Sequence, residues 1–187
     1  MAAWNRIAGK FLCRQLRRVR RRRAAIFLRL FQPSPEDTVL DLGSEDGSEV
    51  ASFYPYPEKV VIADVNEGPL HRGVETYGFA GCVLLHPDKP LPFETASFDV
   101  VLCSSVIEHV TGIDSSVVPP RNAAEYRQHA ERRQREFAEE IRRVGRGYWV
   151  QTPNRRFPIE AHSMLPWIQC LSPYRQYQAS RALKHIW

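Results

Sequence analysis

The chain has 187 residues, 43% of them hydrophobic, enough to bury the core of one domain with some decoration. No apolar run reaches the ~18 residues that span a bilayer. The four cysteines (Cys13, Cys82, Cys103, Cys170) form no CxxC pair, which argues for reduced thiols in a cytoplasmic-type compartment and against a disulfide frame or a zinc site.

The net charge of +5 is unevenly placed: residues 1–35 hold ten Lys or Arg and no acid, leaving sixteen basic and twenty-one acidic residues in the rest. Within this basic arm, residues 11–31 read FLCRQLRRVRRRRAAIFLRLF. Phe11, Leu12, Leu16, Val19, Ile26, Phe27, Leu30 and Phe31 fall at roughly helical spacing, with Arg14, Arg17, Arg18 and Arg20 to Arg23 filling the rest. Three readings stay open: a helix packed on the domain with a solvated Arg-rich face, a helix in peripheral contact with an anionic membrane, or one that holds a nucleic-acid backbone. Aromatics are not interleaved with the arginines, which speaks against nucleic acid. The segment is also poor in Ser and runs straight into the domain, unlike an organelle transit peptide.

Pro33 and Pro35 end the arm. Thr38–Leu42 predicts a buried strand, and SEVASFY after Gly47 predicts a helix stopped by Pro55 and Pro57. Strands follow at 59–64 (KVVIAD), 81–85 (GCVLL), 97–104 (SFDVVLCS) and 147–152 (GYWVQT). Helices are expected at 67–77, with Pro69 tolerated near its start, and at 123–144, whose apolar stripe includes Phe137, Ile141 and Val144. Alternating strands and helices, with strands apolar throughout, predict an α/β fold: a mostly parallel sheet covered on both faces.

In such a sheet ligands bind beyond the carboxyl ends of the strands. The residues there are Gly43-Ser44-Glu45-Asp46-Gly47, Asp64, Asp88, Ser104 to His109, and Thr152-Pro153-Asn154. A glycine lets the backbone approach a ligand. An acid 21 residues beyond Gly43, Asp64, suits ribose hydroxyls. A dinucleotide needs GxGxxG with its pyrophosphate over a helix N-terminus, and Glu45 and Asp46 would repel it. S-adenosylmethionine carries a sulfonium and an ammonium instead, so electrostatics favours it.

VLDLGSEDGS (39–48), VVIADVNEG (60–68), LPFETASFDVVLCSSVIEHV (91–110) and VQTPNRRFPIEAH (150–162) together resemble the class I S-adenosylmethionine-dependent methyltransferases, in the branch with a TPNR-FPIE-H stretch after the fifth strand. The resemblance covers about residues 36–163 and implies a Rossmann-like doubly wound sheet in three α/β/α layers. It divides the chain into a basic arm (1–35), a cofactor-binding domain (36–162) and a C-terminal segment (163–187). It implies that Asp41, Gly43 and Gly47 shape the methionine pocket, that Asp64 holds the ribose and that Asp88 flanks the adenine. Ser44, Val65 and Ser104 complete the cofactor contacts, and Ser104 to His109 face the transferred methyl. Glu45 departs from the family's middle glycine and would crowd the amino-acid end of the cofactor. The spacing from Asp88 to Leu91 is one residue short. The usual last two strands are not legible in SMLPWIQCLSPYRQYQASRALKHIW, so a naturally short chain or a fragment is expected, with the fifth strand left as an apolar edge for the C-terminal segment or an oligomer to cover.

Each residue also has a plainer role. Asp41 inside a strand is costly unless bonded. Gly43 and Gly47 serve equally as turn glycines, and Asp64 as a helix N-cap. Asp99 reads as structural, at the start of its strand. His109, oriented by Glu108, is the leading candidate to take a proton from a hydroxyl acceptor. His162 with Glu160 is a second such pair, and either histidine alternatively packs or staples a loop. Asn154, Arg155 and Arg156 suit an anionic substrate group or plain solvent exposure. The reading that follows is O-methylation of a small molecule or glycan. Its rivals are an inactive methyltransferase-like interaction module and a basic membrane- or nucleic-acid-associated protein whose domain is only a scaffold.

Overall fold

The computed structural model describes residues 2–87, 89–111, 120–152 and 170–182, with residues 2–16 and 180–182 as backbone only. In chain order these form α1 (Ala2–Phe31), β1 (Val39–Leu42), α2 (Ser48–Ala51), β2 (Val60–Asp64), α3 (Glu67–Tyr77) and β3 (Gly81–Leu84), then β4 (Phe98–Ser104), α4 (Ala123–Val144), β5 (Gly145–Gln151) and α5 (Pro173–Ala182). The five strands make one sheet in the order β3-β2-β1-β4-β5. Every neighbouring pair is parallel. The chain steps outward from β1 to β3, then returns to place β4 on the other side of β1. The switch in strand order therefore lies between the carboxyl ends of β1 and β4, where a ligand crevice forms.

Period-two alternation sorts the strand residues onto two faces. Val39, Val60, Ile62, Val100 and Leu102 pack with Phe27 of α1, Val50 of α2 and Leu70 of α3. Leu40, Leu42, Ala63, Val101 and Cys103 pack with Ile141 and Val144 of α4. Both faces are covered, which gives the three-layer α/β/α arrangement and explains why β1 is buried along its whole length.

Helix ends follow local chemistry. Gly78 closes α3 in the left-handed conformation, φ 70°, with its N–H donating to Val74 O at 3.0 Å. Asn122 caps α4, its side-chain oxygen accepting from Ala124 N and Glu125 N at 3.0 Å. The helix expected over SEVASFY is corrected to a single turn, because the chain bends at Val50, whose carbonyl accepts from both Phe53 N and Tyr54 N. That bend turns Tyr54 into the core beside Phe27. β5 begins two residues earlier than the sequence suggested, at Gly145, directly from α4.

The basic segment is not a free arm. Its helix runs from Ala2, and its last turns join the core. Phe27 is fully buried, stacks on Phe31 at 4.8 Å and meets the edge of Trp149 at 6.0 Å. In the C-terminal segment, α5 returns to α4, where Tyr174 and Tyr177 pack on Tyr126. The outer edge of β5 pairs with no strand among the described residues.

At the amino end of the sheet, the charged groups Asp99, Arg146, Glu140 and Arg143 are paired. Asp99 accepts from Thr38 N and Thr38 Oγ1, both at 2.9 Å, and pairs with Arg146. Arg143 donates to Phe93 O and Leu91 O, while Glu140 accepts from Leu91 N. These bonds fix the connection into β4 against α4.

Candidate functional site

The carboxyl ends of β1, β2 and β4 converge on the switch point. Asp41, on β1, is 4% exposed. Burial pushes its carboxyl up to about 7. The nearby Ser44 hydroxyl opposes that rise, while Glu49 and Asp64 add to it. Neither Asp41 Oδ2 nor Ser44 Oγ completes a hydrogen bond among the described residues.

The loop after β1 is shaped by left-handed residues at three alternate positions, Gly43 (φ 72°), Glu45 (φ 56°) and Gly47 (φ 71°). Gly43 is required by space as well as by φ. A Cβ there would lie 2.5 Å from Val106 Cγ2, on the loop after β4. The two loops that bound the crevice thus touch through a residue with no side chain.

Asp64, at the end of β2, is 6% exposed. Its Oδ2 accepts from Glu45 N at 3.0 Å and its Oδ1 from Asn66 N at 2.9 Å. A carboxylate offers about four acceptor positions, so each oxygen keeps one for a ribose hydroxyl. Glu45 therefore meets Asp64 through its backbone, and its side chain points to solvent. Val65 beside it is exposed. Asp88 lies outside the described residues.

Beyond β4 the chain turns sharply at Ser105 (φ 59°). His109 N donates to Val106 O at 2.8 Å, and Gln134 of α4 pins the turn by donating to Ile107 O at 3.0 Å. Both carboxylate oxygens of Glu108 are buried and find no hydrogen-bond partner among the described residues. His109 itself is exposed at the tip. Cys103, under this turn, has its thiol pushed up to about 12, first by burial and then by the Glu108 charge, which makes it a packing residue.

Gln151 was not singled out in the sequence. Its Oε1 accepts from Ser104 Oγ at 3.3 Å and from Arg23 Nη1 at 2.9 Å, while its carbonyl accepts from Ser105 N at 2.9 Å. One side chain thus joins β4, β5 and α1 at the crevice. The available signal was a polar residue ending an apolar strand. Glu160, His162, Asn154, Arg155 and Arg156 lie outside the described residues. Among the described residues no His, Cys, Asp and Glu group is placed to hold a metal.

The arrangement suits S-adenosylmethionine. Orphaned acceptors at Asp41 and Glu108 favour a cationic ligand over a pyrophosphate, and Asp64 retains acceptor capacity for a ribose.

Among solved structures, the chain is similar to the YcgJ protein of Bacillus subtilis (21% identity, TM-score 0.39, 46% of this chain and 38% of that one). It is similar also to a SAM-dependent methyltransferase from Aquifex aeolicus (15% identity, TM-score 0.45, 87% and 77%). A third is an S-adenosylmethionine-dependent methyltransferase from Mesorhizobium loti (23% identity, TM-score 0.36, 46% and 41%). The match takes in under two fifths of the length of the Bacillus subtilis protein. No curated protein matches the chain. The methyltransferase domain family matches residues 40–147, which run from β1 into the start of β5 and include Asp41, Gly43, Asp64 and the turn after β4. That is more than half of the chain, and S-adenosylmethionine is the expected cofactor: the chain belongs to the methyltransferase domain family.

Proposed function

We propose that the chain is an active methyltransferase that moves the methyl of S-adenosylmethionine to a hydroxyl of a small molecule or glycan. One observation carries this reading. Five buried side-chain polar atoms lack a partner among the described residues, and four of them belong to Asp41, Ser44 and Glu108, at one crevice. Native proteins pair such groups, so their concentration at the switch point calls for a ligand.

The cofactor, when bound, supplies a methyl activated by its sulfonium. The protein's work is then mainly to align the acceptor, because proximity and orientation supply most of the rate of an in-line displacement. Asp41 and Ser44 hold the amino-acid end, and Asp64 accepts ribose hydroxyls. His109, on the rigid turn after β4, takes the proton from the acceptor hydroxyl. Glu108, buried beneath that turn, favours the positive charge that His109 gains. His162 is the second candidate for the same role.

A second reading, a catalytically inactive binding module, draws on Glu45. A non-glycine residue in the left-handed region costs about 1–2 kcal/mol, and here it directs its amide onto Asp64.

His109→Ala tests the first reading. Release of S-adenosylhomocysteine, assayed over a panel of hydroxylated acceptors, is expected to fall ~100-fold or more, with cofactor affinity nearly unchanged. Full turnover in that variant removes His109 from the mechanism. A parent chain that binds cofactor but turns over no acceptor favours the binding module.

A further inference from the structure

We propose that the exposed half of α1 is a docking surface for an anionic lipid bilayer. Its placement comes first. Phe31 lies against Gly147, Phe27 against Trp149, and Arg23 bonds Gln151, the last residue of β5. Going back from residue 31 to residue 23, α1 climbs about 12 Å beside β5 and reaches the carboxyl end of the strand. Residues 17–22 therefore stand beyond the sheet, on the side of the ligand crevice. The Arg20 ion pair with Glu49 of α2, at 4.0 Å, places the helix next to the loop that holds Ser44 and Gly47.

Charge and apolar surface then meet on the same exposed half. Arg17, Arg18, Arg21 and Arg22 form an exposed cluster with Ala25. None of these four has a carboxylate within ion-pair distance among the described residues. Val19, Ile26 and Leu30 are 47%, 42% and 60% exposed. Steps of seven and four residues put them on one stripe, bordered along its solvent side by Arg22 and Arg29. Isolated arginines are an ordinary solvated face. Arginines bordering a stripe of exposed aliphatic residues match an interfacial helix, whose apolar side chains enter the acyl boundary while the guanidinium groups reach phosphates.

Other occupants fit less well. A second copy would oppose two arginine clusters. A nucleic acid offers nothing to the aliphatic stripe, and the aromatic residues Phe27 and Phe31 are turned inward onto Trp149, away from any base. Docking in this way sets the crevice at the lipid surface. Resting on the proposed methyltransferase activity, it narrows the acceptor class to a hydroxyl on a lipid or a lipid-linked glycan.

The test is flotation of the full chain with vesicles of phosphatidylcholine alone or with ~30% phosphatidylglycerol, near 0.1 M salt. Partition is expected only with the anionic vesicles. It should fall ~100-fold in R17E/R18E/R21E/R22E and ~10-fold in V19S/I26S/L30S. It should be unchanged in R127E/R135E, on the exposed side of α4. Calorimetric cofactor binding in each variant reports folding. Equal partition to neutral vesicles overturns the proposal. So does undiminished partition of V19S/I26S/L30S, the behaviour of a helix that attracts any polyanion, RNA included. Cofactor binding lost in the parent while anionic partition persists defeats the enzymatic reading and leaves the docking surface standing.

Discussion

Asp99 and Asp41 are the same residue type on neighbouring parallel strands, and the fold treats them in opposite ways. At the amino end of β4, Asp99 receives the Thr38 amide and hydroxyl and the Arg146 guanidinium, and its carboxyl is held below the usual range, chiefly by the Thr38 amide. At the carboxyl end of β1, Asp41 is buried without a partner for Oδ2, and its carboxyl rises to about 7. A carboxylate the chain satisfies is a staple. A carboxylate buried and left unsatisfied costs stability, and is retained where a ligand compensates for it.

The largest effect follows from Asp41. Its folded carboxyl binds a proton more tightly than the unfolded one, so its contribution to stability falls as pH rises from about 4 to about 7. Asp41→Asn removes that loss. Above pH 7 the variant is expected to be more stable than the parent by roughly 2–4 kcal/mol, read as a higher denaturation midpoint, with weaker cofactor binding. A variant less stable at pH 8 would mean that the carboxylate is satisfied after all.

Asp99 gives the opposite pH sign and a smaller change. Its folded pKa is lowered, so its contribution is present above the unfolded value near 3.8 and is lost as pH falls through the folded pKa. Asp99→Ala should cost about 2–3 kcal/mol at neutral pH and leave cofactor affinity within ~2-fold, as urea denaturation and calorimetry would report. Cofactor binding lost in a folded Asp99→Ala protein would erase the contrast between the two ends of the sheet.

The smallest effect sharpens the role of Glu45. Glu45→Gly keeps the amide that Asp64 receives and relieves the left-handed strain, so a gain of about 1 kcal/mol or less is expected. Affinity for S-adenosylmethionine should change less than ~3-fold. A rise beyond 10-fold would show that the glutamate obstructs the loop and would favour the binding-module reading.

Where local chemistry decides an element, the sequence is readable. α3 and α4 run over the residues expected, because Gly78 terminates one and Asn122 caps the other. The crevice was legible as a place, since Gly43, Gly47, Asp64 and the turn after β4 all follow strand ends. What escaped depends on distant partners. That the basic helix packs on the domain was among the readings the sequence offered, but not its anchor, because Phe27 meets Trp149 across more than a hundred residues. Gln151 looked unremarkable because its partners, Arg23 and Ser104, lie on α1 and β4. The turn after β4, which buries the Glu108 carboxylate and exposes His109, is likewise held by a distant partner, Gln134 of α4.

The central claim is that the unpaired groups at the β1/β4 switch point form a cofactor site, and calorimetric titration tests it most directly. S-adenosylmethionine and S-adenosylhomocysteine should each bind with micromolar affinity at pH 7.5. Asp64→Ala, folded by circular dichroism, should abolish the heat. No binding by the folded parent chain, or equal binding by Asp64→Ala, would contradict the account.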